Sequence, residues 1–255
     1  MREAETVGVG LPERQECGPS GVGGWNPLAG IWQTGKHGGM RISTLLLMLS
    51  LLISGPLMAQ EGAKVDLQSE GVRYFYDGKI KEALTAWDGY LKEHPEQLPY
   101  HWQRGIALYY AERWADGRAQ FEEHVKVNSQ DVENSVWHFL CVAREKNVEE
   151  ARKALLPVTR DSRVPMRQVL DLFAGKAAEK DVLAAADAVK DAESKRDALC
   201  YAHLYLGLYA EALGKTEAAK EHLLKSAVDY AQPHYMGTVS KVHCRLRGWL
   251  PAEKK

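Results

Sequence analysis

Small and large apolar residues recur every 34 residues along this chain, and this period constrains the fold more than any other feature. The first column contains Gly71, Gly105, Phe139, Phe173 and Gly207. The second column, twelve residues later, contains the small residues Ala83, Gly117, Ala151, Ala185 and Ala219. The third column, four residues further on, contains the apolar residues Trp87, Phe121, Leu155, Val189 and Leu223. A period of this length is typical of helix–turn–helix units that stack on one another.

The columns have a physical explanation in the packing of two helices. A small residue on each helix lets the partner helix approach, and the large apolar residue one turn later fills the space between them. One such hairpin cannot bury its own apolar face, so neighbouring units must stack. The sequence therefore predicts an all-α solenoid of five hairpins over residues 64–233. Residues 234–255 are predicted to form a helix that caps the apolar end, followed by a charged tail.

The repeated units resemble the tetratricopeptide repeat (TPR) family. The resemblance is carried by LQSEGVRYFYDGKIKEALTAWDGYLKEHP, HWQRGIALYYAERWADGRAQFEEHV and HLYLGLYAEALGKTEAAKEHLLKSAV. It implies a right-handed superhelix. Units three and four are weaker, with Phe139 and Phe173 at a position where the family prefers a small residue. Gly175 falls within the expected first helix of unit four, so we expect that helix to be short or bent.

A narrower resemblance concerns YLGLYAEALGKTEAA and the capping segment after it. Both are similar to the bacterial NlpI-type group of periplasmic TPR adaptors. The likeness implies an adaptor that brings other proteins together. It does not extend to a lipid anchor, because Gln60, and not a cysteine, follows the apolar run near the N-terminus.

The N-terminal sixty residues have a different character. Residues 1–39 are rich in glycine and have no apolar period, which predicts a disordered leader or an over-extended gene start. A second possible start at Met40 opens a signal peptide over residues 40–59, with Arg41 before an apolar run and Ala59 before the cut. The predicted location is therefore periplasmic or secreted, without stable membrane insertion after cleavage. An uncleaved anchor is the alternative, although the run is shorter than the ~20 residues that a span needs.

The TPR resemblance also implies which side chains face the concave groove where a partner lies. Transferred to this sequence, the groove positions are Phe75, Tyr76, Trp102, Ile106, Tyr109, Tyr110, Arg144, Leu204, Leu208 and Glu211. The set is aromatic and apolar at its N-terminal end, and such side chains dominate binding hot spots. It lacks the Lys and Asn residues with which chaperone-binding TPRs hold a terminal carboxylate, so that mode of binding is disfavoured. For each aromatic residue, packing between units is the competing interpretation.

Composition and motifs argue against several other functions. A formal net charge of −1 disfavours nucleic acid as the partner. The sequence contains no phosphate-binding loop, catalytic serine motif or metal-binding histidine pair, so no enzyme activity, metal or cofactor is predicted. Cys141, Cys200 and Cys244 are too far apart in the repeat pattern for a disulfide, and we expect buried thiols.

Two functions remain open at this point. The first is a scaffold or adaptor that binds a protein or peptide in the aromatic groove. The second is a self-assembling protein whose capping helix or convex face forms a homodimer. Light scattering distinguishes them, because a monomer at all concentrations excludes the second.

Overall fold

A computed structural model describes residues 66–250 of the chain, and within that range the structure is helical, without β-strands. In chain order the α-helices are α1 Leu67–Tyr76, α2 Ile80–Glu93, α3 Trp102–Tyr110, α4 Trp114–His124, α5 Val132–Glu145, α6 Val148–Lys153, α7 Met166–Phe173, α8 Glu179–Asp187, α9 Ala192–Ala212, α10 Thr216–Leu224 and α11 Tyr235–Leu246. A 3-10 turn covers Pro95–Tyr100 and a π-helical turn covers Lys225–Asp229. The all-α prediction is confirmed for these residues. The predicted leader, the signal peptide and residues 251–255 of the tail lie outside them.

Consecutive helices pair into five hairpins, from α1–α2 to α9–α10, and each hairpin packs against the next. Asp66 begins α1 by accepting a hydrogen bond from the backbone N–H of Gln68, and Asp131 begins α5 by accepting one from that of Glu133. The turn after α1 places Gly78 at a φ of +75°, in the left-handed region that glycine enters without steric cost. Short turns of this kind make the two helices of each hairpin antiparallel.

The glycines of the first column lie directly against the large residues of the third column. A Cβ atom added to Gly71 would lie 2.5 Å from Trp87 Cδ1, and one added to Gly207 would lie 2.5 Å from Leu223 Cγ. Gly105 approaches Phe121 in the same way. Units one, two and five therefore pack as the columns predict. In each of them a large side chain of the partner helix occupies the space that a side chain at the glycine would need.

Units three and four pack differently, because they have phenylalanine and not glycine in the first column. Phe139 and Phe173 are both fully buried, with ring centroids 5.0 Å apart in an edge-to-face arrangement. In these two units the first-column side chain itself fills the space between the helices. Helices α6 and α8 end before the third-column residues Leu155 and Val189. The first helix of unit four, α7, ends at Phe173, and Gly175 follows it at a φ of +74°. The prediction of a short first helix is confirmed.

The fifth hairpin touches hairpins that are distant in sequence. Helix α9 begins at Ala192, earlier than the repeat pattern predicts, and it lies against α5 as well as α8. The Tyr205 hydroxyl donates to Glu133 on α5 at 2.8 Å, and the Tyr109 hydroxyl on α3 donates to Glu211 on α9 at 3.4 Å. In an extended solenoid each unit contacts only its neighbours. The stack is thus more closed than the repeats alone predict.

Helix α11 also joins the two ends of the stack. It packs on α9 and α10, as a capping helix should, but it contacts α1 as well. The Tyr235 ring stacks on Phe75 at 5.5 Å and meets Trp102 edge-on at 4.8 Å. At the other end of the helix, Arg245 Nη1 donates to the backbone carbonyl of Tyr76 at 2.7 Å. The predicted helix is present, and it contacts the first hairpin as well as the last.

An ionic cluster fixes the long connection between α6 and α7. The Arg163 guanidinium donates to Glu133 at 2.5 Å, to Asp131 at 2.6 Å and to Asp161 at 2.6 Å. Three carboxylates thus share one guanidinium. Burial, together with the nearby Asp131 carboxylate, raises the pKa of Glu133 to about 7.

We expect this carboxyl group to make the folded protein less stable as pH rises. The unfolded value is 4.5, so between pH 4.5 and about 7 the folded state holds a proton that the unfolded state has released. The contribution is complete below pH 4.5 and is lost as pH rises through 7, which amounts to about 3 kcal/mol. Glu133→Gln should flatten this part of the profile, measured by urea unfolding at pH 5 and pH 8. The exposed Glu217→Gln variant serves as the control, and an unchanged slope in Glu133→Gln would contradict the assignment.

Candidate functional site

The ten predicted groove residues fall into two groups of equal size. The first group is buried, with side chains at most 2% exposed, and consists of Phe75, Ile106, Tyr109, Leu204 and Leu208. The second group is more accessible. Tyr76, Trp102, Tyr110 and Glu211 are half-buried, and Arg144 is exposed.

Burial of the first group corrects the expectation that these side chains are open to a groove. The cause is packing among these helices, because α3 packs on α5, α5 packs on α9, and α11 packs on both α9 and α1. Tyr235 covers Phe75, and His243 covers Tyr110 with a contact of 3.1 Å between Nδ1 and the tyrosine hydroxyl. The competing interpretation, packing between units, applies to these residues. Contact between the second group and a partner stays a prediction.

Four of the predicted residues, Tyr109, Tyr110, Arg144 and Glu211, come together in one open pocket. Glu211, at the end of α9, lies at the centre of their contacts. Its Oε2 atom accepts from the Tyr109 hydroxyl at 3.4 Å and lies 3.3 Å from Arg144 Nη2. Arg144 Nε in turn lies 3.4 Å from the Tyr109 hydroxyl. The four side chains come from α3, α5 and α9, so only the closed stack brings them together.

The remaining three pocket residues come from outside the predicted groove positions. Arg247 follows α11, and its Nε donates to Glu211 Oε1 at 2.7 Å. Glu112 lies in the turn between α3 and α4, and Trp114 is the first residue of α4. The pocket has a volume of about 330 Å³, at the lower end of the range for ligand sites. It is thus suited to a small ligand or to the tip of a larger one.

The charges in the pocket are held in fixed ionisation states. Burial by itself would raise the pKa of Glu211, but His243 and Arg247 outweigh that effect and hold the pKa well below its usual range. Burial and the Glu211 charge raise the pKa of Tyr109 to about 12. At neutral pH the site therefore contains an ionised carboxylate between two guanidinium groups, with a neutral phenol beside it.

The guanidinium groups retain donors that the protein does not use. Arg247 contacts the described residues through Nε, and no hydrogen bond within residues 66–250 occupies its two terminal nitrogens. The Arg247 and Arg144 side chains are 34% and 36% exposed, so their remaining N–H groups are accessible to a ligand. Arginine forms its strongest hydrogen bonds to carboxylate and phosphate oxygens.

Glu112 has an unusual backbone conformation for its residue type. Its φ is +60°, in the left-handed region, which costs a non-glycine residue about 1 kcal/mol or more. Two other hairpins have glycine at the same position of the 34-residue period, Gly78 and Gly214. The Glu112 side chain forms no hydrogen bond or ion pair with the other described residues. Its backbone N–H donates to the Tyr109 carbonyl at 3.1 Å, as that of Gly78 does to Phe75 at 2.9 Å, so the turn is held by backbone hydrogen bonds and not by the glutamate side chain.

Sequence reasoning missed Arg247, Glu112 and Trp114. The 34-residue alignment carries one signal for Glu112, because a glutamate stands where two other turns have glycine. No sequence signal identifies Arg247, which lies beyond the repeats and reaches the site only because α11 folds back. Trp114 begins α4, whose residues the resemblance does not assign to the groove.

The arrangement is suited to binding through charge and aromatic surface. Cys141, Cys200 and Cys244 are buried free thiols, as predicted, and burial raises the pKa of each. Within residues 66–250 no three His, Cys, Asp or Glu side chains converge as metal ligands.

Among the helices described, none combines the length and the apolar character needed to cross a membrane. Comparison of the sequence with protein families finds no matching family, and comparison with curated proteins finds no matching relative.

Proposed function

We propose that this chain is a TPR-type scaffold or adaptor that binds a protein or peptide through its concave side. In this proposal residues 64–233 form a right-handed TPR array, closed by the C-terminal helix. The 34-residue columns support it, as does the direct packing of Gly71, Gly105 and Gly207 against the large residues of the partner helices. Fold alone does not fix function, so the proposal rests on the site.

The observation that carries the proposal is the pocket around Glu211. The repeat pattern assigns Tyr109, Arg144 and Glu211 to the groove, and in the structure they line the same opening. The aromatic residues buried under α11 cannot contribute to binding in this conformation. The binding surface is therefore smaller and more polar than the sequence predicts, with arginine and aromatic side chains of the kind enriched at hot spots.

A capture experiment with matched baits tests this function. The native protein and the Arg144→Gln variant are immobilised and exposed to the periplasmic or secreted fraction of the native host. We expect at least one protein to be retained by the native bait and lost with Arg144→Gln. Arg167→Gln is the control, because Arg167 lies on α7, pairs with Asp171 and is 58% exposed. Identical retention by the native and Arg144→Gln baits would exclude the site as the binding surface.

We also propose that the protein is periplasmic or secreted. The support is the order of charged, apolar and small residues over 40–59, which lies outside the described range. Mass spectrometry of the protein from its native host should give a mature N-terminus at Gln60. A mature chain that retains residues 40–59 would favour the uncleaved anchor.

A further inference from the structure

The pocket around Glu211 contains two opposite charges that the fold does not pair with each other. On one side are the unused N–H groups of Arg247 and Arg144, and on the other is the Glu112 carboxylate. Glu211 cannot neutralise both guanidinium groups, which leaves the floor with a surplus positive charge. The rim carries the negative charge of Glu112. A ligand that matches this surface has a negative end and a positive end.

We propose that this pocket binds a dipolar ligand of the amino-acid class, with its carboxylate on Arg247 and Arg144 and its ammonium beside Glu112. The inference deepens the proposed function, since it names the chemistry recognised at the same site. A free amino acid and the ends of a short peptide share this chemistry.

The backbone of Glu112 supports the placement of the ammonium group. A glycine at this position would adopt a φ of +60° without steric cost, as Gly78 and Gly214 do at +75° and +72° in the equivalent turns. Glutamate places a carboxylate at the pocket but adopts this φ at a steric cost. Its side chain forms no hydrogen bond or ion pair with the other described residues. Strained residues of this kind are concentrated at binding and catalytic sites.

Aromatic side chains and fixed hydrogen bonds complete the site. The half-buried Trp114 lines the pocket, and an aromatic face attracts a cation as well as apolar groups. Glu211 holds Arg247 at 2.7 Å and Arg144 at 3.3 Å, which positions both guanidinium groups before a ligand arrives. Preorganised donors of this type reduce the entropy lost on binding.

Four small probes test the proposal on the purified native protein. They are trialanine with both ends free, N-acetyl-trialanine, trialanine amide and free L-alanine, with affinity measured by NMR titration. We expect trialanine to bind about tenfold or more tightly than either blocked form, because each block removes one charge-assisted contact. Binding of L-alanine as tight as trialanine would identify free amino acids as the ligands, and weaker binding would identify peptide ends. Both outcomes support the proposal.

Variants assign each end of the ligand to its residue. Arg247→Gln should abolish the preference for the free acid over the amide, and Glu112→Gln should abolish the preference for the free amine over the acetylated form. Arg167→Gln should keep both preferences. Glu112→Gly should melt at or above the native temperature, because it relieves the backbone.

Three results would overturn the inference. They are undetectable binding of every probe to the folded protein, equal affinity for free and blocked peptides, and a lower melting temperature for Glu112→Gly. The capture experiment above is independent of these outcomes. A partner lost with Arg144→Gln, combined with no peptide preference, would reject the ligand class and leave the scaffold function standing.

Discussion

Gly71→Ala should destabilise the protein by about 3 kcal/mol, although alanine is the better helix former. In an unstrained helix this change would gain about 1 kcal/mol. Here the added methyl group would lie 2.5 Å from Cδ1 of Trp87, whose indole ring is fully buried. The ring cannot move without weakening the hydrogen bond of 3.2 Å from its Nε1 to the Gln68 carbonyl. The clash therefore outweighs the gain in helix propensity.

Gly89→Ala provides the matched control within the same hairpin. Gly89 lies inside α2, and an added Cβ would meet only the end of the Leu67 side chain, at 3.2 Å. This substitution should stabilise the protein by several tenths of a kcal/mol to about 1 kcal/mol. Urea unfolding of both variants gives the comparison. Equal changes in the two would show that the close approach of α1 and α2 does not limit residue 71.

Tyr235→Ala should cost about 3 kcal/mol and release α11 from the first hairpin. The ring stacks on Phe75, meets Trp102 edge-on and lies 5.6 Å from Tyr76. Its removal opens a cavity where the two ends of the stack meet. Hydrogen exchange should rise in α1 and α11 together, because each covers the other.

Tyr235→Phe separates the ring from its hydroxyl group. The hydroxyl is buried and has no hydrogen-bond partner among the described residues. An unsatisfied buried polar group is unfavourable, so the phenylalanine variant should be as stable as the native protein or up to about 1 kcal/mol more stable. Tyr100→Ala is the surface control, since Tyr100 is 59% exposed. Exchange in α1 that stays at the native rate in Tyr235→Ala would show that α11 does not clamp the first hairpin.

The hairpins are predictable because their contacts are local in sequence. Gly71 and Trp87 are sixteen residues apart, as are Gly207 and Leu223, and each pair falls inside one 34-residue unit. Such contacts leave a regular trace in the sequence. The short first helix of unit four is predictable for the same reason, because Gly175 lies only two residues beyond the end of α7.

The candidate site is only half predictable for the same reason. The positions of Arg144 and Glu211 in their units identify them as groove residues, yet their contact with each other joins α5 to α9. The sequence shows that Glu112 stands where two other turns have glycine. Only the structure shows that its side chain lines the pocket. Burial of Phe75 and Leu204 cannot be inferred from the repeats, since it depends on how tightly the units curve.

The sequence by itself determined an all-helical chain, its division into hairpins and the residues that bring paired helices together. The tertiary structure decided how strongly the stack closes, and with it which side chains are core and which line the pocket. The deciding contacts are remote, linking Tyr109 to Glu211 over 102 residues and Tyr76 to Arg245 over 169. A repeat pattern encodes the interface between neighbours. Closure depends on small rotations accumulated over many interfaces, and no single unit records their sum.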